Sequence, residues 1–181
     1  MKKTILAFVF GLILFVTNSC KKTIDKLTEF DIPYTSNATI PVSTFNTTVA
    51  ATAPFDIKTP DIPTNASSNF STNKTSADLI SEIKMTKLEL SVASGNLDFI
   101  KSVSVSISGT GLSEVLIATK DVFPTGASST TLDMKDVNIK DYIKKDNISF
   151  RVQGVVQTST TQIEQTIKLD EITHVKATLI K

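Results

Sequence analysis

The sequence predicts an all-β protein, an antiparallel immunoglobulin-like β-sandwich with one or two short helices in its connections. Three observations carry that expectation. Short segments in which apolar and polar residues alternate recur at roughly ten-residue intervals, the pattern of half-buried strands. Turn-forming residues punctuate them at Gly95-Asn96, Gly109-Thr110-Gly111 and Pro124-Thr125-Gly126. Serine and threonine together make up 45 of the 181 residues, and threonine suits the solvated face of a pleated sheet. The Cys…Trp…Cys hallmark of antibody domains is absent, since the chain has one cysteine and no tryptophan.

Five of the six prolines lie between Pro33 and Pro63. Proline lacks the N–H that a ladder needs and is confined to sheet edges and strand starts. Thr35–Val49 therefore reads as an interrupted edge strand bending at Pro41, and Ala53–Lys58 as a second short strand; a solvated polyproline-like arm is the alternative. Ser67 to Lys74 reads as a polar loop. Thr75-Ser76-Ala77-Asp78 has capping-box form ahead of Leu79, Ile80 and Ile83, which predicts a short helix near Ser76–Glu82. Lys84 to Val92 follows as a strand, with Leu88, Leu90 and Val92 alternating against Lys87, Glu89 and Ser91.

Ser102 to Ser108 alternates without error, so one face is apolar and the other hydroxylated. Val115 to Ala118 is a short apolar run, and Thr130 to Met134 a weaker strand. Asn138 caps a second short helix carrying Ile139, Tyr142 and Ile143, with Lys144 and Lys145 at its negative end. Ile148–Gln157, Gln162–Leu169 and Thr173–Ile180 complete the strands, with Ser159-Thr160 as a hairpin and Asp170-Glu171 as a turn.

The first twenty residues have a different character. Lys2 and Lys3 precede an apolar run from Ile5 to Val16, and Thr17-Asn18-Ser19 leads into Cys20. Twelve apolar residues rise about 18 Å as a helix, short of the ~30 Å hydrocarbon slab, so a secretory leader fits better than a membrane span. Lys2 to Lys22 resembles the precursor segment of a bacterial lipoprotein of the Bacteroidetes style, in which Ser-Cys is followed by lysines. The resemblance implies a signal peptide at 1–19 and a lipidated Cys20; the residue pattern beyond it then reads as a tether at 20–31 and a single sandwich domain at 32–181. It also implies attachment to the outer membrane. Lys21 and Lys22 rather than acidic residues follow the cysteine, which favours the periplasmic face over the cell surface. Ten extended residues of tether would reach ~35 Å, and more than one acyl chain makes such anchoring stable.

Composition bounds the chemistry. Without residues 1–19 the chain has 17 basic and 18 acidic groups, for the leader removes only Lys2 and Lys3 from a total of 19. Nucleic acid would call for a concentrated basic face and is not expected as a partner. Arg151 is the sole arginine, so clamps built from several guanidiniums are excluded. The only histidine, His174, reads as a partly exposed strand residue, and no Gly-x-Ser-x-Gly elbow exists to activate a serine. One histidine and one lipidated cysteine do not furnish a zinc shell. Asp133, Asp136, Asn138 and Asp141 crowd one loop and are the candidate ligands for a hard cation such as calcium. Their spacing is not that of an EF-hand, and solvated acids with Asn138 as a helix cap are the plainer reading. Only Tyr34 and Tyr142 offer a ring with a polar tip for stacking on a sugar. No cofactor is expected.

The function expected from these residues is that of a non-enzymatic, membrane-anchored lipoprotein that binds an envelope protein or contributes to envelope structure. A glycan- or lipid-binding lipoprotein is the alternative, and a hydrolase using carboxylates alone is a third.

Overall fold

The computed structural model describes residues 29–45, 51–158 and 164–177. Within them the chain forms β1 (Glu29–Ile40), β2 (Thr52–Lys58), β3 (Ile62–Pro63), α1 (Ala66–Thr72), β4 (Ile80–Val92), β5 (Ile100–Gly109) and β6 (Val115–Lys120). There follow β7 (Ser129–Thr131), β8 (Asp133–Met134), α2 (Lys140–Ile143), β9 (Asn147–Gln157) and β10 (Gln165–Ala177). One sheet has the order β1-β10-β4-β7 and the other β2-β9-β5-β6-β8, with β3 beside β9 in line with β2. Every pairing is antiparallel. The result is an all-β, immunoglobulin-like sandwich.

Period-two patterning decides which faces meet. Val103, Val105 and Ile107 of β5 are buried while the serines between them are only half-covered, as the alternation requires. Ile148, Phe150 and Val152 of β9 face them from the next strand, and Ile83, Leu88 and Leu90 of β4 close the core from the opposite sheet. β4 carries two extra residues opposite β10, Ser81 and Thr86, where the register shifts. Their hydroxyls donate to the Lys176 and Ile172 carbonyls at 3.0 and 3.3 Å, so the bulges are bonded rather than open.

Gly154 of β9 shows why one strand interior tolerates a glycine. The Phe55 ring of β2 lies over it from the paired position, and a Cβ there would come within 2.7 Å of that ring and collide with the Ser102 carbonyl oxygen.

Several expectations are corrected. The edge strand begins at Glu29 rather than Thr35 and ends at Ile40; Val42–Thr44 is a 3₁₀ turn, and residues 46–49 of the expected strand lie outside the described residues. The expected polar loop from Ser67 contains α1, whose Phe70 is buried and packs edge-on against Phe30 at 6.4 Å between ring centroids. The capping-box stretch yields only a 3₁₀ turn, Ala77–Leu79, without a side-chain cap, because Ile80 and Ile83 are taken into β4. Thr130–Met134 divides at the buried Leu132, with β7 in one sheet and β8 in the other.

The last two expected strands are one strand, β10, so Asp170 and Glu171 sit mid-strand rather than in a turn. Ser159 and Thr160 lie outside the described residues. β9 and β10 belong to different sheets, so their connection is a crossover and not a hairpin. Residues 1–28, including Cys20 and the expected leader, are also outside the described set.

Candidate interaction edge and polar cleft

β1 is the long outer strand of its sheet, pairing over twelve residues with β10 and with no other described strand. Its inward residues Ile32, Tyr34, Ser36, Ala38 and Ile40 are buried, whereas Thr35, Asn37 and Thr39 are exposed. Side chains also fasten it to β10. Thr35 Oγ1 donates to Asp170 Oδ1 at 2.7 Å, and His174 Nδ1 lies 2.8 Å from Asp31 Oδ1. Glu29, three positions before Ile32, reaches the other nitrogen of the same imidazole at 3.6 Å.

Behind β1 runs a polar seam on the core side of the sheet: Tyr34 and Ser36 from β1, Glu171 and Thr173 from β10. Glu171 is 1% exposed and faces Tyr34 across the strand pair and Leu88 on the other side. Its Oε1 accepts a hydrogen bond from Ser36 Oγ at 3.1 Å, while its Oε2 has no hydrogen-bond partner among the described residues, nor has Thr173 Oγ1. Burial pushes the Glu171 carboxyl up to about 8, the neighbouring Asp170 charge adds to the rise, and the Ser36 hydroxyl opposes it. Tyr34 donates to the Thr64 carbonyl at 3.0 Å. Its own phenol is pushed up to about 12, by burial first and then by the Glu171 charge. At neutral pH both groups are held neutral.

The two outer faces of the sandwich differ in chemistry. On the β1 sheet, charges are paired off: Lys84 with Glu82 and Asp136 at 2.8 and 2.6 Å, Lys87 with Glu89 at 2.8 Å, Lys168 with Asp170 at 2.8 Å. The hydrogen bonds that Lys84 donates to Asp136 and Glu82 push its ammonium up to about 12. On the β5 sheet, the outward residues are the serines of β5 beside Ser149, Arg151 and Gln153 of β9. Arg151 grips Asp56 with Nε at 2.8 Å and Nη2 at 2.5 Å, and reaches Glu114 with Nη1 at 3.1 Å. Gln153 adds a bond to Asp56 at 3.0 Å. The guanidinium holds the Asp56 carboxyl below its usual range.

At the Gly109 end of that face lies a cleft of about 370 Å³. Lys58 and Asp61 line it from the β2–β3 corner, Thr110, Leu112 and Glu114 from the β5–β6 turn, and Asn147 and Ser149 from the start of β9. Both walls are fastened. The buried Thr59 donates its N–H to the Phe150 carbonyl and accepts the Phe150 N–H on Oγ1, each at 2.9 Å. Across the cleft, Tyr142 donates its hydroxyl to the Ser113 carbonyl at 2.5 Å, and the Leu112 N–H closes the turn on Gly109 at 3.0 Å.

The candidate cation ligands do not converge. Asp136 pairs with Lys84, Asp133 lies 3.4 Å from Lys120, and Asn138 Oδ1 accepts the N–H groups of Ile83 and Lys140 at 3.2 and 3.1 Å. Asp141 is exposed on α2. No three His, Cys, Asp or Glu side chains gather to hold a metal among the described residues. Asn138 thus joins α2 to β4 instead of forming a regular cap, for Ile139 holds the N-cap position. Neither tyrosine stands out as a stacking platform: Tyr34 is buried and the hydroxyl of Tyr142 is committed to the 113 carbonyl. Glu171, Ser36 and the cleft were invisible to spacing, although the strict alternation through Ile167, Leu169, Glu171 and Thr173 carried the signal for a carboxyl pointing inward.

Among the solved structures that resemble the chain in part are the following three. The C-terminal domain of a chitobiase from Bacteroides fragilis aligns at 15% identity and a TM-score of 0.29, covering 71% of this chain and 66% of that one. Infectious bursal disease virus of the Gx strain aligns at 11% identity and 0.33, covering 82% of this chain and 32% of that one. The KRT10-binding region domain of a pneumococcal serine-rich repeat protein aligns at 15% and 0.29, covering 73% and 80%. No family model and no curated protein matches the chain.

Proposed function

We propose that this protein is a non-enzymatic lipoprotein, held at the periplasmic face of the outer membrane by acyl chains on Cys20, whose sandwich binds an envelope protein through the free edge of β1. The observation that carries this reading is the edge itself: twelve residues long, paired on one side only among the described residues, and starting nine positions after Cys20. A long exposed edge presents a row of main-chain donors and acceptors, the template that an extended segment uses to add a strand. Its side chains suit the role. Thr35, Asn37 and Thr39 are small and uncharged, whereas edges kept from pairing usually carry lysine or inward charge. Pro33 interrupts the N-terminal half, so the stretch from Tyr34 to Ile40 is the part open to a partner.

Two experiments test the two halves. Mass spectrometry of the native protein should find Cys20 acylated as the first residue, and Cys20→Ala should move the protein from the membrane to the soluble fraction; an unmodified thiol refutes the anchor. A photo-crosslinker at residue 37 should capture a discrete envelope protein, and the purified pair should lose association when Asn37→Lys and Thr39→Lys are combined while the thermal midpoint holds. Undiminished association in that double variant refutes the edge.

A further inference from the structure

We propose that the cleft between the β2–β3 corner and the β5–β6 turn is a binding site for a neutral saccharide unit, a role independent of the β1 edge. The cleft volume of about 370 Å³ falls in the range of small-ligand pockets, about 300–1,000 Å³. Four of its polar side chains are uncommitted among the described residues. The side chains of Lys58, Asp61, Thr110 and Asn147 all line it and make no hydrogen bond or ion pair with the described residues. The opposite outer face has the reverse arrangement, with its charges bonded to one another.

The set of free groups selects the ligand class. An ammonium, a carboxylate, an amide and a hydroxyl offer donors and acceptors together, which a ring bearing several hydroxyls can match on all sides. An anion would meet Asp61 and Glu114, and a cation would meet Lys58, so a net charge on the ligand has no advantage. Glu114 is already held by Arg151 at 3.1 Å and can orient a hydroxyl through its remaining lone pairs. The floor adds the Ser108 and Ser149 hydroxyls, 2.9 Å apart, with Ser149 only 3% exposed although it points away from the core. Half-buried Leu112 supplies an apolar patch for the C–H face of a ring. Because the Thr59–Phe150 and Tyr142–Ser113 bonds fix both walls, little ordering cost attends binding.

The test uses the purified full-length protein on an array of neutral oligosaccharides, followed by calorimetric titration of each hit. Saturable binding is expected, with ligand-induced amide shifts confined to Gly109–Thr110 and Asn147–Ser149 in nuclear magnetic resonance spectra. Asp61→Asn and Asn147→Ala, both at exposed side chains that bond to nothing among the described residues, should each weaken binding about tenfold, the equivalent of one lost hydrogen bond. Asn37→Lys in β1 should leave saccharide affinity unchanged, which separates this site from the edge. No saturable hit on the array overturns the proposal, and so does binding that neither cleft substitution weakens.

Discussion

Replacing Glu171 by glutamine should make the protein more stable, and by an amount that grows with pH. The carboxyl has an ordinary value of 4.5 and is pushed to about 8 in the fold. Between those two values the folded state keeps a proton that the unfolded chain gives up. The unfolded state then binds fewer protons, so stability falls as pH rises across the window. The contribution is fully present below pH 4.5 and gone above pH 8. At about 1.4 kcal/mol for each pH unit, the whole window amounts to about 5 kcal/mol, comparable to a large share of a domain's net stability of about 5–15 kcal/mol.

Glutamine has the same shape, keeps an oxygen for the Ser36 hydroxyl, and does not ionise. Urea denaturation of both proteins at pH 5, 6, 7 and 8.5 measures the effect. The two curves should nearly coincide at pH 5 and diverge to several kcal/mol in favour of Glu171→Gln at pH 8.5. A difference that stays constant across those pH values would show that Glu171 is not a buried neutral acid, and the account of the polar seam would fail with it.

Two further outcomes follow from particular contacts. Gly154→Ala should destabilise by about 3 kcal/mol, the upper end for an overpacked core, because its methyl meets the Phe55 ring and the Ser102 carbonyl at once; a thermal midpoint unchanged within a degree refutes the close approach. Thr59→Val keeps the volume of the 4%-exposed side chain but leaves the Phe150 N–H without its acceptor, which should cost about 1–3 kcal/mol in chemical denaturation; a loss under about 0.5 kcal/mol would mean that the corner is not fastened as described.

The parts of the fold that could be read from sequence are those where one strand decides its own faces. Ser102 to Ser108 needed no neighbours to reveal its apolar side, and Val103, Val105 and Ile107 are buried accordingly. Reading failed where a neighbour overrode local preference. Asp170-Glu171 looked like a turn because two charged residues interrupt the apolar positions, yet β10 lies between β1 and β4 and both pair with it straight through. Ile80 and Ile83 fitted a helical face as well as a strand, and pairing with β10 settled the choice. In α1 only Phe70 is a large apolar residue, so nothing in the pattern distinguished a helix from a loop. The cleft is a meeting of residues 58–61, 108–114 and 147–149, three segments whose proximity exists only after the second sheet has formed.

The course of β1 also has a mechanical meaning. Its N-terminal end, Glu29, is nine positions after Cys20, and its twelve residues run lengthwise beside β10. Under the anchoring proposed at Cys20, a pull on the lipid against a partner gripping the body of the domain would load β1 along its strand axis, and the whole row of β1–β10 contacts would resist together instead of opening one after another. Force spectroscopy comparing traction along β1 from Glu29 with traction across the strand, which opens its pairs in succession, should therefore record the higher rupture force for the first.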